Sequence, residues 1–504
     1  MTPLIHVSRL IELSGLEGLR YEGSDREISG LVCDSRQIRP GHLFAALSGW
    51  RSRGTLFIED AMRRQAAAIL DQGETRLPPT LAHLIHPDPA KALSRLSSAF
   101  HGHPCRSMAM AAITGTNGKT TVAAMTETIL RQEGIATGVI GTTGVRAPGM
   151  TAETGMTTPD APTLHALLAR MAQAQCRTVV MEVSSHALQQ QRTEAIAWQC
   201  AVFTNLSHDH LDYHGDVDAY FTAKARLFLD RPPRFSIINL DDPHGRELAR
   251  MAAPHTEVLG FTLQRAPARG DYRAKEIRMD WDASHFLLAT PQGSRAIRLP
   301  VCGAFNIANA VAAAALAGRL GASLESIARG LARFTPQPGR MEPVNRGQPF
   351  SVFVDYAHTP DALKNLLETV GAMALQGQII LVFGCGGNRD AAKRPIMGEL
   401  AGRLAHRVIV TDDNPRNESP GEIRTAVLRG VIRGGNRAEE IPDRARAIGH
   451  ALGLAQPGDC VLIVGKGHET VQIIGAQTLP FDDRQWALHH LKELGFSRPS
   501  KEVF

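Results

Sequence analysis

The chain has 504 residues, 43% of them hydrophobic and 21% charged, with a formal net charge of +5. That length suits about three domains of ordinary size. The small positive balance fits anionic small substrates and argues against a nucleic-acid track. Seven dispersed cysteines with no C-x-x-C pair read as reduced thiols of a cytoplasmic protein. No apolar run reaches the ~18 residues of a membrane span, and the first ten residues lack the apolar core of a signal peptide.

Residues 30–33 and 42–47 are predicted strands on either side of the turn Arg39-Pro40-Gly41. Residues 61–68 read as a helix, with 68–70 able to begin the next strand. The polar, turn-rich H-G-H-P-C-R-S places a boundary near Arg106. From residue 108 strands and helices alternate. The runs at 108–113, 179–183, 201–204 and 236–239 are apolar almost throughout, as strands of a parallel sheet buried on both faces should be. The alanine-rich stretch 309–320 reads as a packed helix. F-T-P-Q-P-G at 334–339 is the clearest linker. Beyond it, strands are expected at 351–355, 379–383, 408–411 and 460–464, with helices starting near Pro360, Ala391 and Pro420. The expected architecture is α/β in three domains: 1–106, a central parallel-sheet nucleotide-binding domain over 107–338, and a Rossmann-like, doubly wound domain over 339–504.

I-T-G-T-N-G-K-T-T at 113–121 joins a predicted strand to a predicted helix, the context of a phosphate-binding loop. The first glycine of the general pattern would fall at Ile113; here Gly115 replaces it, so the loop is tighter. Backbone N–H groups of Gly115, Thr116, Asn117 and Gly118 and the following helix N-terminus suit ATP phosphates. Lys119 adds a point charge, Thr120 a hydroxyl suited to Mg²⁺, and Thr121 completes the motif. Glu182 ends a strand and precedes Ser184-Ser185-His186, which suits either a Mg²⁺ ligand or a helix cap. T-N-L-S-H-D-H-L-D-Y-H-G at 204–215 packs three histidines and two aspartates together. Zn²⁺ would draw on the imidazoles; the absence of cysteine and the nearby phosphate loop favour Mg²⁺ or Mn²⁺. Lys224, in Y-F-T-A-K-A-R-L-F, reads as a surface lysine of an amphipathic helix. In the last domain G-C-G-G-N-R-D (384–390), D-D-N-P-R (412–416) and G-K-G-H-E (465–469) each follow a predicted parallel strand. Three such loops converge on one sheet edge and present both charge signs, as a zwitterionic ligand requires.

G-T-N-G-K-T-T, E-V-S-S-H, T-N-L-x-x-D-H-L-D-x-H-G, G-x-F-N-x-x-N (Gly303, Phe305, Asn306, Asn309), D-Y-A-H-T-P (355–360), G-C-G-G-N-R-D, D-N-P-R and G-K-G-H-E resemble the Mur ligases in kind and in order, from about Cys33 to Glu469. D-N-P-R is similar to the diaminopimelate-adding branch. The resemblance implies domains for a UDP-muramoyl substrate, for ATP and for an incoming amino acid. It implies an ATP-dependent ligase that joins meso-2,6-diaminopimelate to UDP-N-acetylmuramoyl-L-Ala-D-Glu through an acyl phosphate, in peptidoglycan precursor synthesis. It further implies a cytoplasmic monomer without nucleic-acid partners or membrane insertion. By resemblance Lys119 and Thr120 serve ATP and Mg²⁺, Glu182 and His210 ligate Mg²⁺, and Asn306 touches ATP. Lys224 matches a family lysine that carries a carbamate, which reverses its reading as a surface residue. Cys33 and Ser35 resemble the uridine-nucleotide site; Thr157, Thr158, Ser184, Gln190 and Arg192 resemble contacts to the muramoyl-dipeptide. Arg389, Asp413, Asn414, Pro415, Arg416, Gly465 and Glu469 resemble the amino-acid site. The alternatives are a lysine-adding or folylpolyglutamate synthetase-like ligase, or, in another class, a P-loop NTPase switch.

Overall fold

The computed structural model describes residues 4–49, 53–73, 75–264, 272–280, 283–373 and 377–497. In the first part, strands Gly30–Val32, His42–Ala45, Ala68–Asp71 and Ala82–Ile85 run parallel, and Arg20–Glu22 pairs antiparallel at the edge. The helix expected at 61–68 is instead Ile58–Arg63. Ala66 and Ala67 are buried ahead of the strand that Ala68 begins. These alanines are small residues of a packed sheet entry rather than a continuing helix face.

Among the described residues the central sheet has eleven strands. Its heart is six parallel strands in the order Thr137–Gly141, Thr178–Glu182, Ala109–Thr114, Cys200–Phe203, Phe235–Asn239 and Glu257–Thr262. Alternate residues feed two cores. Ile113, Val180, Val202 and Ile237 pack under helices Lys119–Gln132 and Ala304–Arg319; Ala112, Met181, Phe203 and Ile238 pack against Leu168 and Phe228 on the other face. The period of two within an unbroken apolar run is the mark of a sheet covered on both sides. Small side chains let Ala304–Arg319 approach closely: Ala310 and Ala312 to Ala315 are fully buried. Strands Tyr272–Met279, Ser284–Thr290 and Gly293–Leu299 extend the sheet, mostly by antiparallel pairing; the alternating-unit reading did not include them.

The last part is a six-stranded sheet in the order Glu342–Pro343, Ser351–Asp355, Cys460–Val464, Ile379–Phe383, Arg407–Val410 and Ala438–Glu440, parallel except for the first. Helices cover both faces, giving the doubly wound layout. Thr359 caps Pro360–Ala372, accepting from the Ala362 N–H, with proline in the first turn where no partner is needed. No helix among the described residues is long and apolar enough to cross a membrane.

Candidate active site

The loop after strand Ala109–Thr114 depends on two glycines. Gly115 has φ +146° and Gly118 φ +90°. A Cβ on Gly115 would fall 1.9 Å from Thr204 Oγ1, and one on Gly118 2.4 Å from Asn309 Oδ1. Neighbouring residues hold the loop in shape. The Thr116 N–H donates to the Asn205 carbonyl and the Asn117 N–H to Asn205 Oδ1, both at 2.9 Å; the Thr204 hydroxyl donates to the Asn117 carbonyl at 2.6 Å. Lys119 Nζ donates to the Gly115 and Thr116 carbonyls, each at 2.9 Å. A cavity of about 560 Å³ is lined by Asn117, Gly118, Thr121 and Asn306 and, from beyond the linker, by Arg340, Asp355, Tyr356 and Asp361. That volume is in the range of small-molecule and cofactor sites. Asn309, Asp355 and Tyr356 belong to motifs noticed in the sequence without a role. Arg340, just past the linker, carried no signal of its own.

Glu182 is 1% exposed. Its Oε2 accepts from the Thr120 hydroxyl at 2.9 Å and the Thr142 hydroxyl at 3.1 Å, and its Oε1 from the Thr142 N–H at 3.0 Å. The helix-cap reading of the same segment also holds: Ser184 Oγ accepts from the Ala187 N–H at 3.2 Å. The paired Thr120 hydroxyl and Glu182 carboxylate are hard oxygen donors beside the phosphate loop, so the set fits Mg²⁺. Burial pushes the Lys119 ammonium below its usual pKa, with Glu182 and Asp209 opposing.

Lys224 is not a surface residue: it is 1% exposed. On helix Val217–Leu229 it stands one turn from Tyr220 and from Phe228, both buried, so it belongs to the core-facing stripe. Nζ donates to the Gly115 carbonyl at 2.9 Å and lies 4.4 Å above the Tyr220 ring. Burial, then the Lys119 charge, push its pKa well down. An ammonium cannot ligate a metal, and Mg²⁺ prefers oxygen donors to a neutral amine, so an anionic oxygen-bearing derivative of this side chain is the form that suits it.

The histidine-rich segment divides: His208 turns to the last domain, while the rings of His210 and His214 both lie against His186. His208 Nε2 lies 2.7 Å from Asp390 Oδ2 of the last domain, and His214 Nε2 lies 2.9 Å from Ser185 Oγ. His210 has φ +55°, and its ring lies edge-on to His186 at 4.9 Å. Burial lowers the His210 pKa to about 4, with Asp209 opposing. Burial works against the charge of Asp209, but His210, His358, Lys393 and Lys119 hold its pKa at about 2.

Cys33 follows strand Gly30–Val32, and Ser35 opens a short turn capped by Asp34. Burial, then Asp160, push the Cys33 thiol up to about 12, with Arg192 opposing. The strand end thus borders the central domain. There Arg192 donates to the Thr158 carbonyl at 2.5 Å and to Gln190 Oε1 at 2.7 Å. Thr158 Oγ1 donates to the Glu182 carbonyl and accepts from the Ser184 N–H, both at 3.0 Å. Thr157 Oγ1 lies 3.0 Å from Thr142 Oγ1. These residues make one polar path from Glu182 to Cys33.

At the ends of the parallel strands of the last sheet, Asn414 Nδ2 donates to Glu469 Oε2 at 2.7 Å. Arg416, at φ +52°, donates to the Gly387 carbonyl at 2.8 Å, and the Pro415 carbonyl accepts from the Glu418 N–H. Asp413 is 8% exposed, and burial raises its pKa. A Cβ on Gly465, φ +117°, would lie 2.7 Å from Asp413 Oδ2. Arg389 is exposed and lowers the Arg416 pKa, second to burial. Lys466, fully buried between these loops, and Thr142 were missed as members of the site.

Residues 113–317 match the Mur ligase middle domain, 339–467 the Mur ligase glutamate ligase domain and 27–101 the Mur ligase family catalytic domain. The UDP-N-acetylmuramoyl-L-alanyl-D-glutamate–2,6-diaminopimelate ligase of Geobacillus kaustophilus is 41% identical over 482 residues, 94% of this chain and 97% of its own. That of Alkalilimnicola ehrlichii is 42% identical over 484 residues, 94% and 96%. A solved structure of an enzyme of the same name superposes with a TM-score of 0.66 at 33% identity, covering 93% of this chain and 95% of that one.

Proposed function

The chain belongs to the Mur ligase family, and we propose that it joins meso-2,6-diaminopimelate to UDP-N-acetylmuramoyl-L-Ala-D-Glu in peptidoglycan precursor synthesis, with ATP cleaved to ADP and phosphate. The observation that carries this reading is the meeting of Asn414, Arg416 and Glu469 on adjoining loops. Diaminopimelate ends in a carboxylate and an ammonium. Arg389 and Arg416 take the first, Glu469 the second. Lysine lacks that carboxylate and would leave the guanidiniums without their partner.

A free carboxylate is a poor acylating agent. Phosphorylation by ATP converts one oxygen into part of a phosphate leaving group, and the amine then attacks the acyl phosphate to form the amide. ATP occupies the cavity beside Asn306, with its phosphates on residues 115–121. Lys119 leaves the loop carbonyls for the phosphates and screens their repulsion from the substrate carboxylate. Thr120 and Glu182 would hold Mg²⁺, with His210 and a carbamylated Lys224 nearby, and the ion would supply further neutralisation there. A carbamate forms from CO₂ and a neutral amine with release of a proton; burial beside Lys119 favours that neutral amine. Cys33, Ser35, Thr157, Thr158, Ser184, Gln190 and Arg192 line the UDP-muramoyl-dipeptide path. The domains divide at about residues 106 and 338, and the enzyme works as a cytoplasmic monomer.

Phosphate release from ATP with the nucleotide-sugar dipeptide, comparing meso-diaminopimelate, L-lysine and no amine, tests the proposal. Release should require both the dipeptide and diaminopimelate. Release indifferent to both would instead favour an NTPase switch, and release driven better by lysine would favour the lysine-adding activity.

A further inference from the structure

Lys466 ties together two residues of the proposed amino-acid pocket. It follows strand Cys460–Val464, and its side chain is 0% exposed. Nζ donates to Asn414 Oδ1 at 3.1 Å and to Glu469 Oε2 at 3.2 Å. Asn414 Oδ1 also accepts from the Ile473 N–H at 2.9 Å. Two donors on that oxygen fix the orientation of the amide, so Nδ2 is the atom that donates to Glu469 Oε2. Oε2 therefore receives both an ammonium and an amide. Among the described residues no hydrogen bond to Oε1 is recorded, and the Glu469 side chain stays 27% exposed.

The charges around this knot do not cancel. Arg444 is spent on Asp483, with two hydrogen bonds of 2.7 Å between fully buried partners. Lys466 neutralises Glu469. The charged groups that act most on Arg416 are then Arg389, Asp413 and the paired Glu469; burial raises the pKa of Asp413. With Glu469 already paired to Lys466, two guanidiniums face one buried carboxyl, so the pocket is short of negative charge. A side chain ending in a carboxylate and an ammonium brings no net charge. A side chain ending in an ammonium alone enters an already cationic surrounding, opposite a carboxylate that has its own ammonium.

We propose that Lys466 is a positioning residue that sets amino-acid choice: by holding Asn414 and cancelling Glu469, it makes the pocket reject a lone terminal ammonium and accept a zwitterionic terminus. This rests on the reading of these loops as the diaminopimelate site. Without Lys466, Glu469 alone would be a sufficient counter-ion for lysine.

The test uses the full-length enzyme and its Lys466→Met and Lys466→Gln variants, with kcat and KM measured for meso-diaminopimelate, L-lysine and ATP. The ratio of kcat/KM for diaminopimelate over lysine should fall about tenfold or more, because the charge removed repels the terminal ammonium of both ligands but is compensated only by the carboxylate that diaminopimelate carries and lysine lacks, and a unit charge a few ångströms away is worth at least that at a surface-like dielectric. The change should come mainly from a lower lysine KM, with the KM for ATP unchanged. A merely structural role would not move this ratio. The gain for lysine should vanish in Lys466→Met combined with Glu469→Gln. Independently of folding in any variant, the parent enzyme should be inhibited more strongly by 2-aminopimelate, which has the carboxylate without the amine, than by L-lysine. Folded variants with the parental ratio, or a parent that binds lysine as well as 2-aminopimelate, would overturn the role of Lys466. A parent that ignores diaminopimelate altogether would instead overturn the reading of the site.

Discussion

Lys224→Met should make the protein more stable and nearly inactive at once. The unmodified ammonium is 1% exposed and beside Lys119, and burying such an ion costs several kcal/mol. Two interactions offset that cost. The hydrogen bond to the Gly115 carbonyl returns about 1.5–3 kcal/mol, and the Tyr220 ring at 4.4 Å about 1–2 kcal/mol. Methionine has nearly the same length and no charge to desolvate. The Gly115 carbonyl keeps Lys119 as a donor, so no buried acceptor is stranded. Replacing buried ion pairs by apolar side chains of similar volume is often neutral or stabilising, by up to about 1–4 kcal/mol, and a buried ammonium with no carboxylate on it among the described residues should follow the stabilising side. At about 2–4 °C per kcal/mol for a domain of this size, the thermal midpoint in CO₂-free buffer should rise by several degrees. Ligation should fall by about 10²-fold or more, the usual loss when a preorganised charge is removed. Melting scans beside the phosphate-release assay would measure both. A variant that melts below the parent would refute the account of the buried ammonium, and one that keeps full activity would refute the carbamate. A small acid such as acetate should restore part of the activity to Lys224→Ala, where space is left for it.

Gly118→Ala places a Cβ 2.4 Å from Asn309 Oδ1 at a φ of +90°; the loop must shift, and the KM for ATP should rise about tenfold or more for ~1.4 kcal/mol of lost fit. Arg416→Met should raise the KM for diaminopimelate about 10- to 100-fold, the worth of a hydrogen bond to a charged group, while titration calorimetry shows ATP binding unchanged. His165 is fully buried on helix Ala161–Gln173, with neither ring nitrogen partnered among the described residues, and burial, helped by His101 and His103, lowers its pKa to about 3. The unfolded imidazole binds its proton at about pH 6.5, so below that value the unfolded state holds more protons. Parental stability should therefore drop as pH falls from 6.5 towards 3, by up to about 1.4 kcal/mol per unit. Urea midpoints of His165→Leu should lose this slope; an identical slope in both proteins would refute it.

The parallel strands and the loops at their C-terminal ends could be read from sequence because both signals are local. Ile379–Phe383 and Cys460–Val464 are unbroken apolar runs, and the polar loops follow at once. What escaped depends on packing between distant segments. Lys224 carries the same letter whether it faces water or a core; the resemblance of its motif pointed to the second, and the buried Tyr220 and Phe228 one turn away supply the physical reason. Thr142 joins the site through Glu182, forty residues away, and Lys466 through Asn414, fifty-two away. Strand Tyr272–Met279 is charge-rich, with a register shift between Lys275 and Arg278, so its alternation is broken where a strand pattern would be sought. Residues 66–68 read as the end of a helix in sequence, but they are buried at the entry to strand Ala68–Asp71, and tertiary burial overrides local helix propensity there.

The phosphate loop holds one more consequence. Lys119 already spends two hydrogen bonds on the carbonyls of Gly115 and Thr116, and Gly115 serves Lys224 as well. Nucleotide capture is then an exchange of partners rather than the filling of a vacancy. Much of the attraction between ammonium and phosphate is returned in breaking the internal bonds, so the heat of binding should understate the strength of the contact. Loss of the nucleotide has a built-in acceptor for the departing lysine, which lets the site reset without exposing a bare buried charge.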